Sequence, residues 1–352
     1  MFPFKECRQS SRGVNFFVCS QRGITDLKMP CDFNGTLLSS VLPPLLITEF
    51  VLGVLGNGLA LWIFCFHLKP WKSSTVLLFN LAMADFLLSL ALPFRASYYI
   101  SGIIWMFGDP FCNFCLFMLA MNRSGSAFFL MAIALDRYMR VVHPHHPINY
   151  LSVSKAVCGA VALWLLTVSM TAHVFTLEHN NTDKCESFMI KAASDYSLTW
   201  HKFAFLFSFY MPLLVMVFCT VRIIVHLRGR QLVQNPKIKK ALCFVTVVLV
   251  LFIICFLPSN IIQLLIWIKT QQVAKTLPES EICPAMEYLT SAFYITISMT
   301  YLNTVLDPVV YYFSSSVFKN FCRKALHLPK SAVAESTERK TRETGSQTLS
   351  QL

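Results

Sequence analysis

Residues 241–268 read ALCFVTVVLVLFIICFLPSNIIQLLIWI, a stretch without one Asp, Glu, Lys, Arg or His. A helix of that length, rising ~1.5 Å per residue, crosses the roughly 30 Å hydrocarbon core of a bilayer. Six further apolar runs lie at 41–66, 74–100, 110–136, 154–177, 200–226 and 286–313. In chain order the second, third and seventh runs are less uniform, because they carry Asp85, Arg95, Arg123 and Asp307. Backbone groups in lipid must be satisfied within the protein, which leaves helices or a closed barrel. Continuous runs without period-2 alternation exclude the barrel. The expected fold is an all-α membrane protein, a seven-transmembrane helix bundle over 41–313. An outer segment, 1–40, precedes it. A short amphipathic eighth helix over 314–328 and a polar, disordered tail over 329–352 follow.

Composition agrees. Of 352 residues, 55% are hydrophobic and only 14% charged, with mean hydropathy +0.56. A soluble domain carries roughly 25% charge. The net charge of +12 raises nucleic acid or a membrane surface as partner. The location of the charges decides. The loops 67–73, 137–155 and 222–240, with 314–330, hold 15 Lys and Arg, against 4 in the loops 96–109, 178–197 and 269–287. The basic set faces the cytoplasm by the positive-inside rule, so the amino terminus lies outside. The basicity then marks a membrane face and speaks against nucleic acid.

The first 40 residues contain no apolar h-region of a signal peptide, so the first span is expected to serve as its own insertion signal. Two Asn-x-Thr sequons, at Asn34 and Asn180, fall on the outer side, where glycosylation occurs. The tail carries Ser331, Ser336, Thr337, Thr341, Thr344, Ser346, Thr348 and Ser350. It reads equally as a spacer or as a phosphorylation target. The 13 Cys are scattered, and no His, Cys, Asp and Glu cluster offers metal-ligand spacing, so no resident cofactor is expected.

The ordered motifs carry more. Gly56-Asn57 stands in the first span, Leu81-Ala82-Met83-Ala84-Asp85 in the second, and Asp136-Arg137-Tyr138 ends the third. Trp164, Pro212 and Cys255-Phe256-Leu257-Pro258 follow in the next three, and Asp307-Pro308-Val309-Val310-Tyr311 closes the seventh. Across residues 41–325 this set resembles the rhodopsin-like G-protein-coupled receptors. The resemblance implies a sodium ion at Asp85, Ser126, Asn303 and Asp307, and the plain alternative is a hydrated structural network. It implies G-protein coupling through Asp136, Arg137, Tyr138 and Tyr311, with an inhibitory G protein as partner and arrestin at the Ser/Thr tail. It joins Cys112 to Cys185 as a disulfide, and nearer relatives within the family imply a second between Cys31 and Cys283. Cys322, after the amphipathic stretch Val317–Phe321, is a candidate for palmitoylation, a free thiol being the alternative. Location at the plasma membrane goes with the family. Pro212, Pro258 and Pro308 remove mid-helix hydrogen bonds and are expected to kink their spans. Cys65, Cys115, Cys158, Cys219, Cys243 and Cys255, within the spans, are expected to pack as apolar residues.

Arg123 narrows the reading. It lies 14 residues before Arg137, about 21 Å along a helix. A cation at that depth costs roughly 3 kcal/mol or more without a partner or a cavity. Either it pairs with Asp85, or it awaits a ligand carboxylate, which a guanidinium matches bidentately. The runs Leu59–Lys69, Val141–His146 and Tyr311–Ser315 are similar to the hydroxycarboxylic acid receptors and to the oxoeicosanoid receptor. That resemblance implies Arg123 as carboxylate anchor and Tyr301 as its helper. Gln263 stands where the former carry another arginine, and Arg95 adds a cation in the second span. Arg95 is expected near the outer mouth, either facing the ligand or snorkelling to the interface.

The expected activity is therefore reception of a carboxylic acid, a small hydroxy acid such as lactate or an oxidised fatty acid. A carboxylate transporter would need repeats, and none is apparent. A membrane enzyme would need a catalytic cluster. Cys7 and Cys19 lack an assigned partner: they pair with each other, or translation starts at Met29.

Overall fold

The computed structural model describes residues 7–8, 18–19, 36–176, 184–185, 196–229, 236–276 and 279–325. Two short strands, β1 (Cys7–Arg8) and β2 (Val18–Cys19), pair antiparallel with Cys7 opposite Cys19. Eight helices follow: α1 (Thr36–Phe66), α2 (Ser73–Ile100), α3 (Asp109–Val142), α4 (Val153–Thr171), α5 (Tyr196–Gly229), α6 (Pro236–Thr276), α7 (Glu279–Ser314) and α8 (Ser316–Ala325). Most of the long helices run several residues beyond the apolar stretches. Helical hydrogen bonding does not stop where lipid does, and polar residues continue it into water or headgroups.

Helices α1 to α7 close a ring: α1 packs on α2 and α7, α6 on α5 and α7, and α3 touches α2, α4, α5 and α6. In its most apolar stretch α3 is 78% buried and α4 only 28%, so α3 is the central post and α4 the outermost. Among the described residues, six helices are long and apolar enough to span a membrane by length and composition, and α7 is not one of them. Its polar side chains turn inward instead: Thr290, Ser298, Thr300, Asn303, Thr304 and Asp307 are all buried. The helices run unbroken through Pro93, Pro212 and Pro258.

Gly56 lets α1 approach α7 closely. A Cβ there would lie 2.7 Å from Cγ of Pro308. That proximity is used at once by the neighbouring side chain. Pro308 has no N–H, so the carbonyl of Thr304 loses its helical donor. Asn57 Nδ2 donates to that carbonyl at 2.9 Å, and also to the Gly53 carbonyl at 3.1 Å.

Apolar packing divides into two main clusters. One, toward α8, gathers Phe64, Phe129, Phe209, Phe252, Phe256 and Tyr311. The other, toward the Cys112–Cys185 disulfide, gathers Tyr98, Trp105, Leu119, Phe293 and Tyr301. Two of the span cysteines depart from the expected packing. Cys158 and Cys243 are exposed on the outer faces of α4 and α6, whereas Cys115, Cys219 and Cys255 are buried. A lipid-facing position gives a small apolar thiol the same benefit as a core position, so periodicity in lipid does not separate the two.

In α8 the apolar side chains face the bundle. Phe321 meets Trp62 at 5.5 Å between ring centroids, and Phe318 meets Tyr311 at 5.9 Å. Cys322 is half-buried on the same helix, and burial pushes its thiol up from the usual value.

Candidate ligand cavity and polar core

Between the disulfide and the middle of the bundle lies a cavity of about 90 Å³. Arg95, Leu119, Arg123, Phe205, Phe293 and Tyr301 are among its lining residues, and so are His173 and His201. Among the described residues, no Asp or Glu lines it. Arg123 is only 7% exposed, and its Nε and Nη2 make no hydrogen bond among the described residues. Its guanidinium lies over the Phe205 ring, 3.7 Å from the centroid, with Phe256 at 6.0 Å. The internal ion pair with Asp85 is not formed. α3 has carried Arg123 to the cavity wall, while Asp85 is surrounded by other donors.

Arg95 lines the same cavity but is occupied. Its Nη1 donates to the Cys185 carbonyl at 2.7 Å and its Nη2 to the Tyr99 hydroxyl at 3.1 Å. Its guanidinium stands over the rings of Tyr98 and Tyr99. Snorkelling to the outer interface is therefore corrected: Arg95 is 6% exposed and ties α2 to the loop held by the disulfide. A carbonyl acceptor and two tyrosines satisfy it where it stands. Gln263 is 0% exposed, is not among the described lining residues of this cavity, and both its amide atoms lack partners among the described residues.

A second polar centre lies deeper. Asp85 Oδ1 accepts from Asn122 Nδ2 and Ser126 Oγ, each at 3.0 Å, and from Thr304 Oγ1 at 3.2 Å. The single hydrogen of the Tyr311 hydroxyl is shared between Asn57 Oδ1 at 3.0 Å and Asp85 Oδ2 at 3.3 Å. Asn303 Nδ2 donates to Asp307 Oδ2 at 2.8 Å, and Asp307 neighbours Asp85. Two neighbouring buried carboxyls resist carrying two charges unless a proton or a cation offsets one of them. All four residues expected around a sodium ion are thus brought together. Asn122, Thr304 and Asn57 were missed. Asn122 stands one turn before Ser126, so helical spacing alone could have found it. Tyr311, expected to serve coupling, also belongs to this centre.

At the α8 end, Asp136 is paired with Arg140 at 3.0 Å and accepts from Ser74 Oγ at 2.8 Å. Arg137 Nη2 donates to Ser314 Oγ at the end of α7, and its guanidinium faces the Phe244 ring of α6 at 5.3 Å. Tyr138 meets His143 Nε2 at 3.1 Å. Trp164 Nε1 donates to Asn80 at 2.8 Å, fixing α4 on α2. The expected glycosylation at Asn34 and Asn180 lies outside the described residues. The Cys31–Cys283 pairing also falls outside the described side chains.

The family model for the seven-transmembrane receptors of the rhodopsin family matches residues 56–311. Hydroxycarboxylic acid receptor 3 of Homo sapiens is 46% identical over 301 residues, 84% of this chain and 75% of the relative. Hydroxycarboxylic acid receptor 1 of Homo sapiens is 45% identical over 300 residues, 84% of this chain and 82% of the relative. Oxoeicosanoid receptor 1 of Homo sapiens is 39% identical over 302 residues, 86% of this chain and 76% of the relative.

Proposed function

This chain belongs to the rhodopsin family of seven-transmembrane receptors, and from that premise we propose that it is a plasma-membrane receptor for a small hydroxycarboxylic acid, acting through an inhibitory G protein. The observation that carries the ligand class is Arg123, a buried guanidinium that, among the described residues, has unused donors and no carboxylate beside it in the cavity lining. A ligand carboxylate supplies the missing acceptors in bidentate geometry. Tyr301, on the same wall, assists. The modest size of the cavity favours the smaller of the two acid classes named in the relatives. Drug-sized ligands occupy roughly 300–1,000 Å³, whereas this cavity measures about 90 Å³. An acid of a few carbons fits that space, and an eicosanoid chain exceeds it. Arg95 acts chiefly by holding the loop of Cys185 over the cavity.

Below the ligand, Asp85, Ser126, Asn303 and Asp307 hold a sodium ion that favours the resting receptor. Arg137 and the basic faces of the helix ends receive the G protein, and the Ser/Thr tail receives arrestin. The amino terminus lies outside, in keeping with the distribution of Lys and Arg. Asn34 and Asn180 carry glycans, Cys31 joins Cys283, and Cys322 takes a palmitoyl chain.

The test is a panel of lactate, 3-hydroxybutyrate, butyrate, nicotinate and an oxo-eicosanoid on cells expressing the chain, read as pertussis-toxin-sensitive inhibition of cyclic AMP. Small acids signal and Arg123→Ala loses that response at normal surface expression. Hydrogen bonds to a charged group contribute about 1.5–3 kcal/mol, so potency falls at least tenfold. Undiminished potency in that variant overturns the anchor. A response confined to the oxo-eicosanoid overturns the small-acid class.

A further inference from the structure

Two histidines that the carboxylate anchor does not involve meet at the cavity wall. His173 sits in the short 3-10 turn Ala172–Thr176 that follows α4, and His201 lies near the start of α5. Both line the cavity. His173 Nε2 and His201 Nδ1 are 2.9 Å apart, and His173 Nδ1 lies 2.9 Å from the carbonyl oxygen of Met170. Their separation of 28 residues hid the pair in the sequence.

The hydrogen-bond network assigns the protons. A carbonyl oxygen only accepts, so Nδ1 of His173 carries a proton and donates it to Met170. With one proton on each ring, Nε2 of His173 is then a bare acceptor. The proton between the rings belongs to Nδ1 of His201. That leaves Nε2 of His201 with a lone pair and no hydrogen. No hydrogen bond to that nitrogen is formed among the described residues, and the ring lines the cavity.

The anchor stands one helical turn away. Phe205 follows His201 on the same face of α5, with ring centroids 6.3 Å apart, and carries Arg123 over its own ring. The cavity therefore presents two complementary groups close together: a cation with unused donors and a nitrogen that can only accept.

We propose that the His173–His201 pair is the specificity-determining hydroxyl acceptor of this receptor. It makes the receptor prefer an acid bearing a hydroxyl near its carboxylate over the corresponding oxo acid. A hydroxyl gives Nε2 of His201 the hydrogen it lacks. A ketone sets a lone pair against a lone pair. A site built to bond a hydroxyl discriminates strongly against an analogue without one, because the buried group stays unpaired. This assignment rests on the carboxylate reading of Arg123 and adds the second point of recognition to it.

The experiment compares matched acids on the full receptor: lactate with pyruvate, and 3-hydroxybutyrate with acetoacetate, with butyrate as the acid lacking either group. Wild type is expected to favour each hydroxy acid at least tenfold over its oxo partner. His201→Phe brings each ratio, read within the variant, to within about twofold. Where His201→Phe fails to reach the surface, His173 gives an independent pair of variants. His173→Gln keeps an acceptor facing Nδ1 of His201 and retains the preference, whereas His173→Phe removes it and loses the preference. A space-filling role would not separate those two variants. No response to any acid overturns the carboxylate reading itself. Equal potency of hydroxy and oxo acids in wild type, ratios unmoved by His201→Phe, or equal ratios in the two His173 variants overturns only the role of the histidines.

Discussion

Asp85 is the residue through which the deep polar centre is organised. Its carboxyl is 0% exposed and accepts from side chains on α3 and α7. Asn122, Ser126, Thr304 and Tyr311 reach it from two helices, so its charge is read by the relative position of both. If a sodium ion shares this carboxylate with Asp307, the charge on Asp85 is what retains the ion. Asp85→Asn keeps the size of the side chain and removes that charge. Agonist affinity in membranes should then stop responding to exchange of sodium for a bulky organic cation, whereas wild type loses affinity in sodium. A competition-binding assay in the two salts measures this. An unaltered sodium effect in the variant assigns Asp85 to the hydrogen-bond network alone.

At the scale of elements, the seam between α1 and α7 shows how a small residue, a proline and an amide depend on one another. Gly56 admits Pro308, Pro308 strips a donor from the Thr304 carbonyl, and Asn57 replaces that donor. Gly56→Leu must push α7 outward, because even a Cβ at that place would meet Pro308 at 2.7 Å. Overpacking of a well-packed core costs about 1–3 kcal/mol. Asn57→Ala leaves a buried carbonyl unpaired, a loss of similar size, about 1–3 kcal/mol. Thermal unfolding of the detergent-purified receptor should show a lowered midpoint for both variants. A double variant should lose less than the sum, since the two residues serve one contact. Full additivity would show that the carbonyl and the close approach are independent.

For the whole molecule, the question is what holds the α8 end closed against a G protein. Arg137 reaches from the central α3 to Ser314 at the end of α7, rather than to an acid on α6. Tyr311, one turn earlier on α7, is turned inward onto Asn57 and Asp85. Opening that end by rigid-body movement of helices requires these bonds to exchange. Ser314→Ala removes the acceptor of Arg137. A hydrogen bond to a charged group contributes about 1.5–3 kcal/mol, and 1.4 kcal/mol is about a tenfold change in an equilibrium. Basal inhibition of cyclic AMP should therefore rise several-fold in Ser314→Ala without agonist, at unchanged surface expression. Basal signalling equal to wild type would place the closing contact elsewhere.

The sequence by itself determined the fold class, the number of spans and the residues that make this chain a rhodopsin-family receptor. Lipid imposes a length and an apolar composition that can be counted, and short motifs such as Asp136-Arg137-Tyr138 keep their order without reference to any neighbour. It also singled out Arg123, because a cation at that depth is costly wherever its helix packs. Contacts between distant helices were decided only by the tertiary structure. Arg95 occurs in the same kind of apolar run as Arg123, and only the approach of Cys185 and Tyr99 shows that its donors are occupied. Gln263 drew notice only by its place in the sixth span, and only the packing of α6 shows it fully buried with both amide atoms unpaired among the described residues. Apolar periodicity cannot tell a core-facing thiol from a lipid-facing one, which is why Cys158 and Cys243 came out exposed. His173 and His201 belong to different helical segments with no shared motif. Their proton order exists only because packing brings the two rings and the Met170 carbonyl into one line of hydrogen bonds.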